Sequence, residues 1–173
     1  MKRQNPSFEE AMNAASLWCT AWEEGELSDE VLADRVFELL KTKAGARGFF
    51  AISLSSDSAL MDRLPDTLIF QLRASGEAIV DITAKNLAMS TAMEIHHIRN
   101  KNTEQKAGSE RIKQRCIELL RLLEPNSVKT RLENLLQATK QDKGIDVEFL
   151  NRWNYDNEQK KAIEISINSV AEK

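Results

Sequence analysis

Residues 77–99, EAIVDITAKNLAMSTAMEIHHIR, are apolar on nearly every side when wound as a helix, and no other stretch limits the fold as strongly. A helix without a fully polar face belongs inside a bundle, with other helices laid against it. The segment therefore predicts an all-α helical bundle built around a long central helix near 77–99. The composition agrees. Six glycines, three prolines and one tyrosine among 173 residues leave too few turn formers and aromatics for a β-rich chain. A chain of this length buries roughly two-thirds of its unfolded surface, enough for a core without staples.

The flanking sequence breaks into helices at recognisable signals. Ser7 with Glu10 makes a capping box, and Ala11, Ala15, Trp18 and Trp22 follow at helical spacing until Gly25. Ser28 caps a second helix with Leu32, Val36, Leu39 and Leu40 inward. GFFAISL at 48–54 fits a short buried strand or a helix. No second strand exists to satisfy its backbone, so a helix or irregular packed segment is expected. A short turn through Met61 and a helix from Pro65, with Leu68, Ile69 and Leu72 inward, lead to the central helix. Beyond it, NKNTEQKAG reads as a polar hinge. Ser109 caps a helix with the seam Ile112, Cys116, Leu119, Leu120 and Leu123, closed by Pro125. Ser127 caps the next, with Leu132, Leu135 and Leu136 inward, and two further helices lie at 146–153 and 156–171. The total is about eight helices, packed by interdigitating ridges. Residues 1–126 are expected to form the bundle core, with 127–173 as C-terminal helices packed on the same domain.

Several function classes find no support. Cys19 and Cys116 fall inside predicted helices and read as small core residues, reduced in a cytosol. No apolar run could span a bilayer. MKRQNPSFEE has two bases with no apolar stretch behind them, so it is not an export signal. A soluble cytoplasmic protein without a membrane role is expected. There is no G-x-S-x-G, no phosphate-cradling glycine motif and no paired cysteine motif, so neither a catalytic site nor a cofactor is expected. The net charge of −3 hides an uneven distribution: residues 1–62 hold 11 acids and 6 bases, residues 96–140 hold 5 acids and 10 bases. Such asymmetry can arise by chance, steer head-to-tail self-association, or hold the two regions against each other inside one fold.

At about 100° per residue the central helix resolves into stripes. Val80, Ala84, Leu87, Thr91, Ile95 and Ile98 form one core seam, with Ile82, Met89, Met93 and His96 roughly opposite. Asp81, Lys85 and Arg99 make a narrow solvent edge. The remaining face carries Thr83, Asn86, Ser90, Glu94 and His97 and no lysine or arginine. The plainer reading of this face is a hydrogen-bonded helix contact. The sharper one is a ligand or metal pocket lined by Asn86, Ser90, Glu94 and His97. Glu94-x-x-His97 is half of a di-iron ligand set, but two adjacent histidines cannot supply the other half. His96 is expected partly buried among the methionines.

The basic region 99–121 offers Arg99, Lys101, Lys106, Arg111, Lys113, Arg115 and Arg121 to phosphates. Glu104, Glu110 and Glu118 interrupt it, and no aromatic residue for base stacking lies between 71 and 148. With a pI near 5.6, nucleic-acid binding is disfavoured against an acidic protein partner. In the tail, Trp153 and Tyr155 of RWNYDN either anchor an interface or plug a helix junction.

The stretches RGFFAISL, NLAMSTAMEIHHIRN and GSERIKQRCIELLRLL, within residues 47–123, resemble an uncharacterised family of small all-helical cyanobacterial proteins. The resemblance implies a bacterial cytosolic protein and transfers no catalytic residue. The expected function is action through protein contacts, as a homo-oligomer or with a regulatory partner. The interface candidates are Arg111, Arg115, Trp153 and Tyr155. The alternatives are a small ligand or metal on the central polar stripe, then nucleic acid on 99–121.

Overall fold

The computed structural model describes residues 5–172; the opening MKRQ, read above as part of no export signal, lies outside them, as does Lys173. Among the described residues the fold is all-α, with nine α-helices, one 3-10 turn and no strand. No helix among them is long and apolar enough to cross a membrane. The chain divides into two compact units, one ending at Ile79 and one beginning at Val80.

The first unit opens with α1 (Phe8–Glu23), whose capping box forms as expected between Ser7 and Glu10. Its end is a Schellman motif: Glu26 N–H donates to the Ala21 carbonyl and Gly25 N–H to the Trp22 carbonyl, with Gly25 at φ 78°. The buried stripe is Ala11, Ala15 and Cys19, while Trp18 and Trp22 are only half-buried. Small residues take the inner face because another helix crosses close by. That helix is α3 (Lys43–Ser53), capped by Thr42. GFFAISL thus belongs to a helix and its capping residue, and the close approach to α1 is made at Gly48. A Cβ there would lie 2.5 Å from that of Ala11 and 2.8 Å from the Phe8 carbonyl oxygen. Phe49 and Phe50 fill the core edge to face, 5.1 Å apart. Between these, α2 (Asp29–Leu40) buries Leu32, Ala33, Val36 and Leu39 and packs on α3 and on α4 (Asp66–Ala74). The 3-10 turn Leu60–Asp62 and α4 add Leu60, Met61, Leu68 and Leu72 to the core.

The long helix α5 (Glu77–Arg99) leads into the second unit, which contains α6 (Thr103–Leu122), α7 (Pro125–Gln141), α8 (Val147–Arg152) and α9 (Asn157–Ala171). Within it, α6 and α7 both pack on α9, and α8 packs on α7. Two helix starts differ from the sequence expectation. The polar hinge shrinks to residues 100–102, because the Asn102 side chain accepts Gln105 N–H and caps α6 about two turns before Ser109. Ser109 is buried inside the helix, and Gly108 stands in open space that does not break it. Likewise α7 is capped by Glu124, whose carboxylate takes the N–H groups of Asn126 and Ser127. Pro125 opens the helix instead of closing the one before, since a first-turn residue has no helical use for its missing N–H.

Candidate functional site

From Ile79 to Ala92 every residue of α5 is buried or half-buried, with the Asp81 and Lys85 side chains turned to the solvent edge. Beyond Ala92 it outruns its packing. Val80, Ala84, Leu87 and Thr91 of the expected seam are buried, but Ile98 is 49% exposed. His96 is exposed instead of sheltered by methionines, with Nε2 3.0 Å from Asn100 Nδ2 and its ring edge-on to His97.

The polar stripe of α5 spends its hydrogen bonds within the fold. Asn86 Nδ2 donates to the Ile82 carbonyl at 2.9 Å, and Ser90 Oγ donates to that of Asn86 at 2.7 Å. Both side chains are thereby turned back onto their own helix. Next to them, Thr91 Oγ1 lies 2.9 Å from Ser166 Oγ of α9, and Gln159 Nε2 of α9 donates to the Ala92 carbonyl at 3.2 Å. Glu94 forms a largely buried ion pair with Lys113 of α6, at 2.7 Å. His97 follows one turn later, half-buried. The geometry is that of a contact seam from α5 to α6 and α9, in which buried polar groups satisfy one another. Among the described residues, no three His, Cys, Asp or Glu side chains stand where they could hold a metal ion.

A second cluster in this unit carries no signal in sequence spacing, because its members lie far apart in the chain. Arg131 of α7 bonds Asp146 through both terminal nitrogens, at 2.6 and 2.8 Å, and Asp81 of α5 through Nε at 2.9 Å. Burial works against the guanidinium charge, but the bonds and charge of Asp146, and then of Asp81, outweigh it and raise the pKa. Asp146 is buried, so the cluster pins α5, α7 and the start of α8 together.

The basic region does not present a row of cations. Arg99 is held by Asp156 and Glu158, Lys113 by Glu94 and Arg121 by Glu118. Arg121 also donates to the carbonyls of Ser169, Val170 and Glu172, capping the end of α9. Arg115 is 4% exposed, within the fold, whereas Arg111 is on the surface. The two tail aromatics part company as well. Tyr155 is buried, which pushes its hydroxyl pKa up to about 12, while Trp153 is 52% exposed beside exposed Arg152.

Grooves lie on the surface of each unit. In the second unit α6, α7 and α9 border an open groove of about 540 Å³ lined by Leu120, Leu123, Val128, Leu132, Leu136 and Ile167. In the first, a groove of about 370 Å³ lies between α2 and α4 beside Phe70, which is 69% exposed. Its charged lining is acidic throughout: Glu30, Asp34 and Asp66. The sequence carried one hint of this place. Phe70 sits about 200° around α4 from Leu68, on the polar side of an amphipathic helix.

Fold and site together define an all-helical protein in which Glu94, Arg99 and Arg131 join helices through buried or surface ion pairs. The chain belongs to the family of uncharacterised conserved protein UCP020893, whose model matches residues 7–170. No curated protein and no solved structure matches it.

Proposed function

We propose that the protein acts through protein contacts, as a self-associating or adaptor protein in the cytoplasm, with a cyanobacterial origin in keeping with the sequence resemblance. The observation that carries this reading is the exposed Phe70 set among three carboxylates, in a chain whose other half carries the positive excess. Exposed aromatic surface rimmed by charge marks contact sites, and opposed charges steer encounter. The polar stripe of α5 supports the reading from the other side, because Asn86 and Ser90 bond their own helix and Glu94 pairs with Lys113 of α6. Light scattering behind size exclusion tests it, run across protein concentration at low salt, together with pull-downs at the same salt. A protein that stays monomeric and retains no partner overturns the proposal.

A second reading draws on the α6–α7–α9 groove, whose size and apolar lining suit a small apolar ligand. A thermal-shift titration with a medium-chain fatty acid checks it. An unchanged midpoint at saturating ligand removes it. Nucleic-acid binding through 99–121 has less to draw on, since Arg99, Lys113 and Arg121 are in ion pairs and Arg115 is buried.

A further inference from the structure

We infer that the protein associates head to tail, the Arg152–Trp153 corner of one copy seating in the α2–α4 groove of the next. This rests on the self-association reading and names its two surfaces.

The receiving surface is preformed. Leu32, Val36, Leu68 and Leu72 are buried where α2 and α4 pack, and Thr67 Oγ1 donates to the Asp29 carbonyl at 3.3 Å across them. Phe70 stands clear of that core with its ring in water. A large aromatic side chain laid against Phe70 would remove both rings from solvent. The groove, about 370 Å³, has room for a tryptophan, and Glu30, Asp34 and Asp66 ask for a cation beside it. The ligand chemistry is thus a flat aromatic with an adjacent positive charge.

The chain carries that pair itself. Trp153 follows α8 as its C-cap, exposed, with Arg152 exposed one residue earlier. The corner is held in place. Asn154 takes a left-handed φ of 53° and Tyr155 is buried directly after it. An anchor presented from a fixed backbone loses little conformational freedom on docking. Tryptophan and arginine are also the residues that most often carry interface energy.

Charge favours a second copy as the occupant. Residues 1–79 hold 13 acids and 8 bases, a balance of −5; residues 80–173 hold 14 acids and 16 bases, a balance of +2. The second unit of one copy is therefore drawn to the first unit of another. The contact joins two different surfaces, so copies close as a reciprocal two-fold dimer or a larger ring, or extend as a filament.

Full-length Phe70→Ala and Trp153→Ala variants test this by light scattering at low salt, with circular dichroism confirming that each is folded. Each alone is expected to lose at least about tenfold in association. Mixed in equal amounts they should form a heterodimer and nothing larger, because one intact groove and one intact tryptophan remain. Asp34→Lys and Arg152→Glu provide a second route: each weakens association alone, and the two combined in one chain restore it. If the wild type associates but the variants do so equally well, or fail to combine on mixing, this contact is overturned while self-association stands. A wild type that is monomeric throughout removes both.

Discussion

Gly48 and Gly108 both lie inside helices, yet the same substitution at each should move stability in opposite directions. At Gly48 a new methyl meets Ala11 and the backbone of Phe8 and Met12, which can yield only if α1 shifts away from α3. Overpacking of this kind costs about 1–3 kcal/mol, against roughly 1 kcal/mol returned by better helix propensity. At Gly108 nothing lies within 4 Å. Gly108→Ala should therefore stabilise by about 0.4–1 kcal/mol. Urea denaturation of the two variants checks the pair, and a stabilised Gly48→Ala would refute the close crossing. The cysteines give a second residue-scale expectation. Burial raises the Cys116 thiol pKa, and Cys19 is equally enclosed. Neither should react with a disulfide reagent until denaturant is added; fast native labelling would contradict their placement. That both were core residues was legible in their helical position. That Gly48 marks a helix crossing was not, because the crossing partner lies far away in sequence.

At the scale of elements, α9 shows how a single acid ties a helix start to its neighbour. Asp156 accepts two bonds from Arg99 of α5, at 2.7 and 3.2 Å, and caps α9 through Gln159 N–H. The Arg99 bonds first, and the Gln159 N–H next, lower its pKa from an ordinary 3.8 to about 2. A depressed acid stabilises the fold above its unfolded pKa, and that contribution disappears as pH falls through the folded value. Between the ordinary 3.8 and about 2, the first turn of α9 should lose amide exchange protection ahead of its middle. Asp156→Asn should keep the cap but flatten this pH dependence, since asparagine caps without titrating. Hydrogen exchange by NMR reads both, and an unchanged pH profile in the variant would refute the assignment. Element ends were legible where the capping signal was local, as at Ser7 and Ser28. They shifted at α6 and α7 because Asn102 and Glu124 outcompeted the serines that follow them.

For the molecule as a whole, surface charge should set the degree of association. The Debye length falls from about 10 Å at 0.1 M salt to about 3 Å at 1 M, so attraction between acidic and basic surfaces fades across that range. Average mass measured by sedimentation should fall with added salt; a mass that rises would mean that apolar burial drives assembly without electrostatic help. The all-α class, the central helix 77–99 and most helix faces were determined by sequence alone, because periodicity and capping act within a few residues along the chain. The fate of the polar groups was decided by tertiary structure. Glu94 and Ser90 look alike as pocket or contact residues until Lys113, from another helix, and the backbone of α5 itself are seen to take their bonds. Arg131, Asp146 and Asp81 meet only through folding. Hydrogen bonds and ion pairs depend on distances between residues remote in sequence, and no pattern along the chain specifies those distances. The same holds for Phe70 and Trp153: their types were plain from the start, and only the packing around them left both facing water.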